Sequence, residues 1–203
     1  MNQHTPKRVA RLTGEIYTHR LLWHTAQSLR DSATEDAETS PHELLGALLF
    51  VFFAFEAFLN YLGPLVVPEA WQDERRFFSR NEQYRGTLGK LHLLADRLAV
   101  SFDKGTRPYQ TLRALNEKRD FLAHPRPELV DEHIPYTDPS NVPRSKEPEL
   151  FGLADLSFLD RATADVESIG DSLQARAQVV LGEHVIYSPR AFVGMLWHQG
   201  GSL

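Results

Sequence analysis

Apolar positions recur at helical spacing along most of this chain, and the pattern predicts an all-α protein. From about Arg8 to Ser32, Val9, Leu12, Ile16, Leu22, Trp23 and Leu29 mark an amphipathic first helix, imperfect in its middle. A polar loop follows. It ends in a capping box, with Ser40 as N-cap, Pro41 at the first position and Glu43 three residues beyond the cap. Leu44 to Val67 is the most apolar stretch, and Gly63-Pro64 is expected to break it. After a short helix holding Trp71, Thr87 is expected to cap a regular helix reaching about Val100. Leu88, Leu91, Leu94, Ala95 and Leu98 form its inner face. A turn precedes the next helix, which begins near Tyr109. The last helix runs from Asp155 to Leu181, burying Leu156, Leu159, Val166, Ile169, Leu173, Ala177 and Val180, with Gly182 at its C-cap. The sum is one helical domain over residues 1–203, a bundle of about five main helices. Its core covers about 8–182, a proline-rich loop covers 125–150, and 183–203 form a mixed C-terminal extension. Phe192 and Trp197 of that extension are expected to dock on the bundle or on a partner.

The apolar stretch has the length of a membrane span, about 20 residues. Glu56 and Asn60 lie inside it one turn apart, and no basic flank marks a cytoplasmic end. A buried core helix is therefore the expected reading, with no membrane. A buried Glu56 needs a partner. Two readings stand: Arg119, or else Asn60 with water or another arginine such as Arg85 or Arg97.

The helix beginning near Tyr109 carries the densest polar pattern. Leu112, Leu115, Leu122 and Ala123 share one side, and Arg119 falls among them. An arginine inside an apolar stripe must be paired or face a cleft, because an isolated buried charge is costly. Asn116, Asp120 and His124 follow at intervals of four, a polar row along one edge. Pro125 then ends the helix. Residues 125–148 hold six of the 12 prolines, too many for an ordinary connection, and suggest a lid or partner arm beside His124. Upstream, Arg75, Arg76, Arg80 and Arg85 interleave with Phe77, Phe78 and Tyr84. Such a stretch can hold phosphates and stack bases. The favoured alternative is a short helix whose phenylalanines enter the core while its arginines stay wet.

Composition narrows the chemistry. At 203 residues, 42% hydrophobic and 24% charged, the chain is an ordinary globular one. It has no cysteine, so neither a disulfide framework nor a thiolate metal site is available, which fits a reducing cytoplasm. The N-terminus lacks the apolar core of a signal peptide. A net charge of −5 argues against a broad electrostatic grip on nucleic acid, though not against a local basic cleft. His19 and His24 are five apart, a poor spacing for shared ligation, and His42, His92, His133, His184 and His198 are scattered, so no metal site or cofactor is expected. A glycine-rich phosphate loop and a serine nucleophile elbow are both missing.

Arg119, the polar Asp120 beside it, and His124 after four intervening residues resemble the signature of the HEPN superfamily: arginine, then Asn, Asp or His, then histidine near a helix end. The resemblance implies a helical bundle that forms a homodimer, each chain supplying one motif to a shared cleft. It also implies an endoribonuclease that needs no metal and cleaves RNA by attack of the 2′-hydroxyl on the adjacent phosphate, in toxin–antitoxin, phage-defence or stress settings. Arginine suits the phosphorane because its planar fork is always charged. Histidine suits proton transfer, its ordinary pKa being about 6.5. By the same resemblance Arg119 holds phosphate, His124 moves the proton, and Asp120 or Asn116 positions the other groups, with Glu56, Asn60 and Arg126 supporting. In toxins silenced by a nucleotidyltransferase partner, a tyrosine often stands two residues beyond the histidine. Here that place is Arg126, so that modification is not carried over, and any neutralising partner protein is unspecified. Other members of the superfamily have lost activity and serve as dimerising or binding modules, which is the alternative expectation.

Overall fold

The computed structural model describes residues 14–35, 40–135, 146–194 and 196–199. Seven α-helices form it: α1 (Thr18–Glu35), α2 (Ser40–Val66), α3 (Pro68–Gln72), α4 (Glu74–Arg80), α5 (Gly86–Leu98), α6 (Tyr109–Ala123) and α7 (Leu156–Leu181). Two three-residue strands, β1 (Gly14–Ile16) and β2 (Trp197–Gln199), pair antiparallel, Gly14 facing Gln199 and Ile16 facing Trp197. Five of the helices are 13 residues or longer, so the expected all-α bundle of about five main helices is what forms.

The apolar α2 is the central member, with α1, α5, α6 and α7 packed around it. Val51, Phe52, Phe55, Phe58, Leu59 and Leu62 are completely buried, so most of its apolar surface is removed from water by other helices. By length and composition it alone, among the described residues, could cross a bilayer. The wheel positions read from the sequence hold for α5, whose Leu91, Leu94 and Leu98 are buried, and for α7 from Leu159 to Ala177.

Several expectations fail for identifiable reasons. Helix α1 begins at Thr18, because Gly14 to Ile16 pair with a distant segment instead; Ile16 is exposed there. Val9 and Leu12 lie outside the described residues. Ser40 is already helical, and the Glu43 carboxylate accepts from the Ser32 hydroxyl of α1 (2.6 Å). Pro64 does not break α2. It sits in the last turn, where the helix needs little more ladder, and Val67 N–H still reaches the Gly63 carbonyl (2.8 Å). Gly63 matters for packing instead. A Cβ there would come within 2.2 Å of the Trp71 ring, so its missing side chain lets α3 lie against α2. Thr87 does not cap α5, which starts one residue earlier; its hydroxyl is used elsewhere. Val180 is exposed, while Leu181 beside it packs against the core.

Nor does the core stop near residue 182. Ile186, Ala191 and Phe192 are buried in it, and Phe192 stacks on Trp23 with centroids 4.4 Å apart. After α7 the chain makes one closed turn, Val185 N–H and Ile186 N–H both reaching the Gly182 carbonyl (3.1 Å each), and residues 186–194 are irregular. A Cβ on Gly170 would lie 2.6 Å from the Phe192 ring, so α7 keeps a bare spot for that ring to occupy. Beneath it, buried His19 donates from Nε2 to the Ala191 carbonyl (3.1 Å). Arg20 lies over the Tyr17 ring at 4.7 Å.

Candidate functional site

The site follows from how α6 leaves the bundle. Its first half is anchored, with Tyr109, Thr111, Leu112 and Leu115 buried. Just before it, Arg107 makes two 2.8 Å hydrogen bonds to the buried Asp165 of α7. Burial pushes the Asp165 carboxyl up, but hydrogen bonds from Arg107 and Thr111 and the Arg107 and Arg161 charges outweigh it, leaving that pKa below its ordinary value. The second half loosens. Leu122 is only half-buried, and Phe121 and Ala123 are exposed, so the apolar stripe expected from the sequence stops a turn early.

Arg119 sits at the boundary. Its side chain is 27% exposed, its guanidinium lies over the Phe52 ring at 4.7 Å, and Nη2 is 3.7 Å from Glu56 Oε2. Nη1 is 2.7 Å from Asp120 Oδ1, and Asn116 donates to Asp120 Oδ2 (3.4 Å). The two partner readings for Glu56 are thereby decided: Arg119 is its ion partner, and the Thr87 hydroxyl donates to its other oxygen (3.2 Å). Arg85 and Arg97 are engaged with Glu82 and Glu69 instead. Asn60 does not join this cluster through Glu56. It accepts from Lys90 Nζ (2.8 Å), which also binds Glu74 (2.6 Å) and lies near the Trp71 and Phe78 rings. Sequence reasoning misses Lys90, because nothing in the periodicity separates a buried, paired lysine from a wet one.

His124 is the C-cap of α6. Its N–H bonds the Asp120 and Phe121 carbonyls, and its exposed side chain lines a cleft of about 610 Å³. Arg126, Glu128 and Leu129 of the arm and Lys146 opposite line the same cleft. The arm (125–135) has no regular structure and is tied down by carboxylates: Glu128 accepts from Glu149 N–H (2.9 Å) and Glu132 from Lys146 N–H (3.2 Å). Residues 136–145 lie outside the described residues. The motif thus divides in two within one chain. Arg119, Asp120, Asn116 and Glu56 form one hydrogen-bonded cluster, His124 and Arg126 open on the cleft, and Asn60 belongs to neither.

The arginine-rich α4 follows the structural alternative: Phe78 is buried, Phe77 half-buried, and Arg75, Arg76 and Arg80 are exposed. Among the described residues no group of three or more His, Asp or Glu is arranged to hold a metal ion. Comparison with models of known families, with curated proteins and with solved structures finds no match to this chain.

Proposed function

We propose that this protein is a homodimeric endoribonuclease that needs no metal and resembles HEPN enzymes in its motif. The observation carrying this reading is that His124 stands exposed at a wide cleft with Arg126 beside it, one helical turn beyond a half-buried Arg119. Residues of these types supply the parts of 2′-hydroxyl attack on phosphate. His124 takes the 2′-hydroxyl proton, and its counterpart on the second chain gives one to the 5′-oxygen that departs as the phosphorus–oxygen bond breaks. Arg119 meets the phosphorane charge with its fork. Asp120 holds that fork by one nitrogen, Glu56 steadies it from α2, and Arg126 draws the polynucleotide to the cleft. A second chain bringing its own motif would supply the groups that one chain keeps apart. The test is cleavage of a mixed RNA with EDTA present, alongside a measurement of mass in solution. His124→Ala is expected to lower cleavage at least about 100-fold, with stability changed by no more than about 0.5 kcal/mol. Equal cleavage by both proteins removes the assignment.

A second reading is a non-catalytic dimerisation or binding module, and one observation favours it. Glu56 and Asp120 already flank the Arg119 charge, while Phe121, Leu129 and Val130, which line the His124 cleft, offer exposed apolar surface. An intact dimer that cuts no RNA would select it.

A further inference from the structure

A second cleft, of about 440 Å³, lies at the far end of α6 from His124. The 15-residue helix between them spans about 22 Å at about 1.5 Å per residue, so this cleft stands apart from the motif. Four rings stand in its wall among polar and charged side chains. Tyr84 and Phe102 line it, and the rings of His92 and Tyr109 stack as a pair, 5.6 Å apart and inclined by 13°. His92 Nε2 and the Tyr109 hydroxyl share a 2.9 Å hydrogen bond. Burial lowers the His92 pKa, helped by the Lys104 charge and opposed by Asp96. Burial raises that of Tyr109, against the effect of Arg113. At neutral pH the pair is therefore uncharged.

The formal charges on this wall are Asp96 and Lys104, and they do not neutralise each other. Among the described residues neither has an ion-pair partner within 4.0 Å, and Asp96 accepts only the Tyr84 hydroxyl (3.3 Å). The loop carrying Lys104 is held in shape: Ala99 turns it with φ 54°, Asp103 accepts from Gly105 N–H (2.8 Å), and Gln110 donates to the Gly105 carbonyl (2.6 Å). A cation and an anion kept apart beside a stacked ring pair complement a molecule that bears both charges and a ring. The volume falls in the range of about 300–1,000 Å³ usual for small ligands.

We propose that this cleft binds a free aromatic α-amino acid as its zwitterion. The ammonium group pairs with Asp96, the carboxylate with Lys104, and the ring lies among Tyr84, Phe102 and the His92–Tyr109 pair. Calorimetric titration of the full chain with phenylalanine, tyrosine and tryptophan tests this. At least one is expected to bind saturably, with Lys104→Ala and Asp96→Asn each weakening it about tenfold or more. Both positions are exposed, and unchanged melting of the free variants checks their fold. In the wild type the same ligand should shift the ring resonances of His92 and Tyr109. The proposal is overturned if no aromatic amino acid binds at millimolar concentration, or if both variants bind as well as wild type. It is overturned equally if 3-phenylpropionate and phenethylamine, each lacking one charge, match phenylalanine.

Discussion

Two histidines sit at helix ends in this protein, each beside an irregular segment, and they meet opposite fates. His19 near the start of α1 is 1% exposed, boxed by the rings of Tyr17, Phe58, Tyr61 and Phe192 and bonded to the Ala191 carbonyl. His124 at the end of α6 is exposed, and the chain beyond it carries Leu129 fully in solvent. Segment 183–194 contributes Ile186, Ala191 and Phe192 to the core, whereas 125–135 contributes no buried residue. What separates them is apolar area removed from water, not regularity of backbone. An imidazole in the first setting is a structural donor; in the second it is open to solvent.

The strongest way to break this contrast is to cut the anchor of the packed segment. Phe192→Ala should cost about 4 kcal/mol in unfolding free energy, as large aromatic truncations in a filled core do. A loss below about 1 kcal/mol in a denaturant titration would mean that the segment is not seated as described.

Acid should act next. Burial, aided by the Arg20 charge and opposed by the hydrogen bond to Ala191, lowers the His19 pKa from 6.5 to about 4. The unfolded chain then binds the proton more readily than the folded one. The stability held by neutral His19 is complete above about pH 6.5 and drains away as pH falls toward about 4, by about 3 kcal/mol in all. His19→Gln should flatten the stability profile across that window, and a profile parallel to wild type would refute the assignment. The smallest effect belongs to the open segment. Leu129→Ala should move stability by no more than about 0.5 kcal/mol, because its side chain already meets water.

Much of the helical frame could be read from the residues. The α2 run and the Leu91, Leu94 and Leu98 stripe are local signals, and burial followed them. What escaped depended on partners far along the chain. Ile16 fits a helical wheel, yet its segment pairs with Trp197. The wheel puts Ala123 inside, but α6 outlasts its neighbours, and no periodicity reports where a neighbouring helix ends. In the candidate site, an acid inside the apolar α2 calls for a counter-charge by elementary electrostatics, and Arg119 in its leucine stripe calls for the same, so the Glu56–Arg119 pair was within reach of the sequence. Lys90, Arg107 with Asp165, and His92 with Tyr109 carry no such local mark, since each pair joins separate helices or loops.

The β1–β2 ribbon also has a mechanical meaning. Because Gly14 faces Gln199 in antiparallel register, force applied to the two ends would open the ribbon like a zipper, one rung after another, rather than shear all its rungs together. Next in line would be the Tyr17 N–H bond to the Leu196 carbonyl (2.9 Å), and behind it the seat of Phe192. A stretched molecule should therefore yield softly first and abruptly second, when that ring leaves the bare patch on α7.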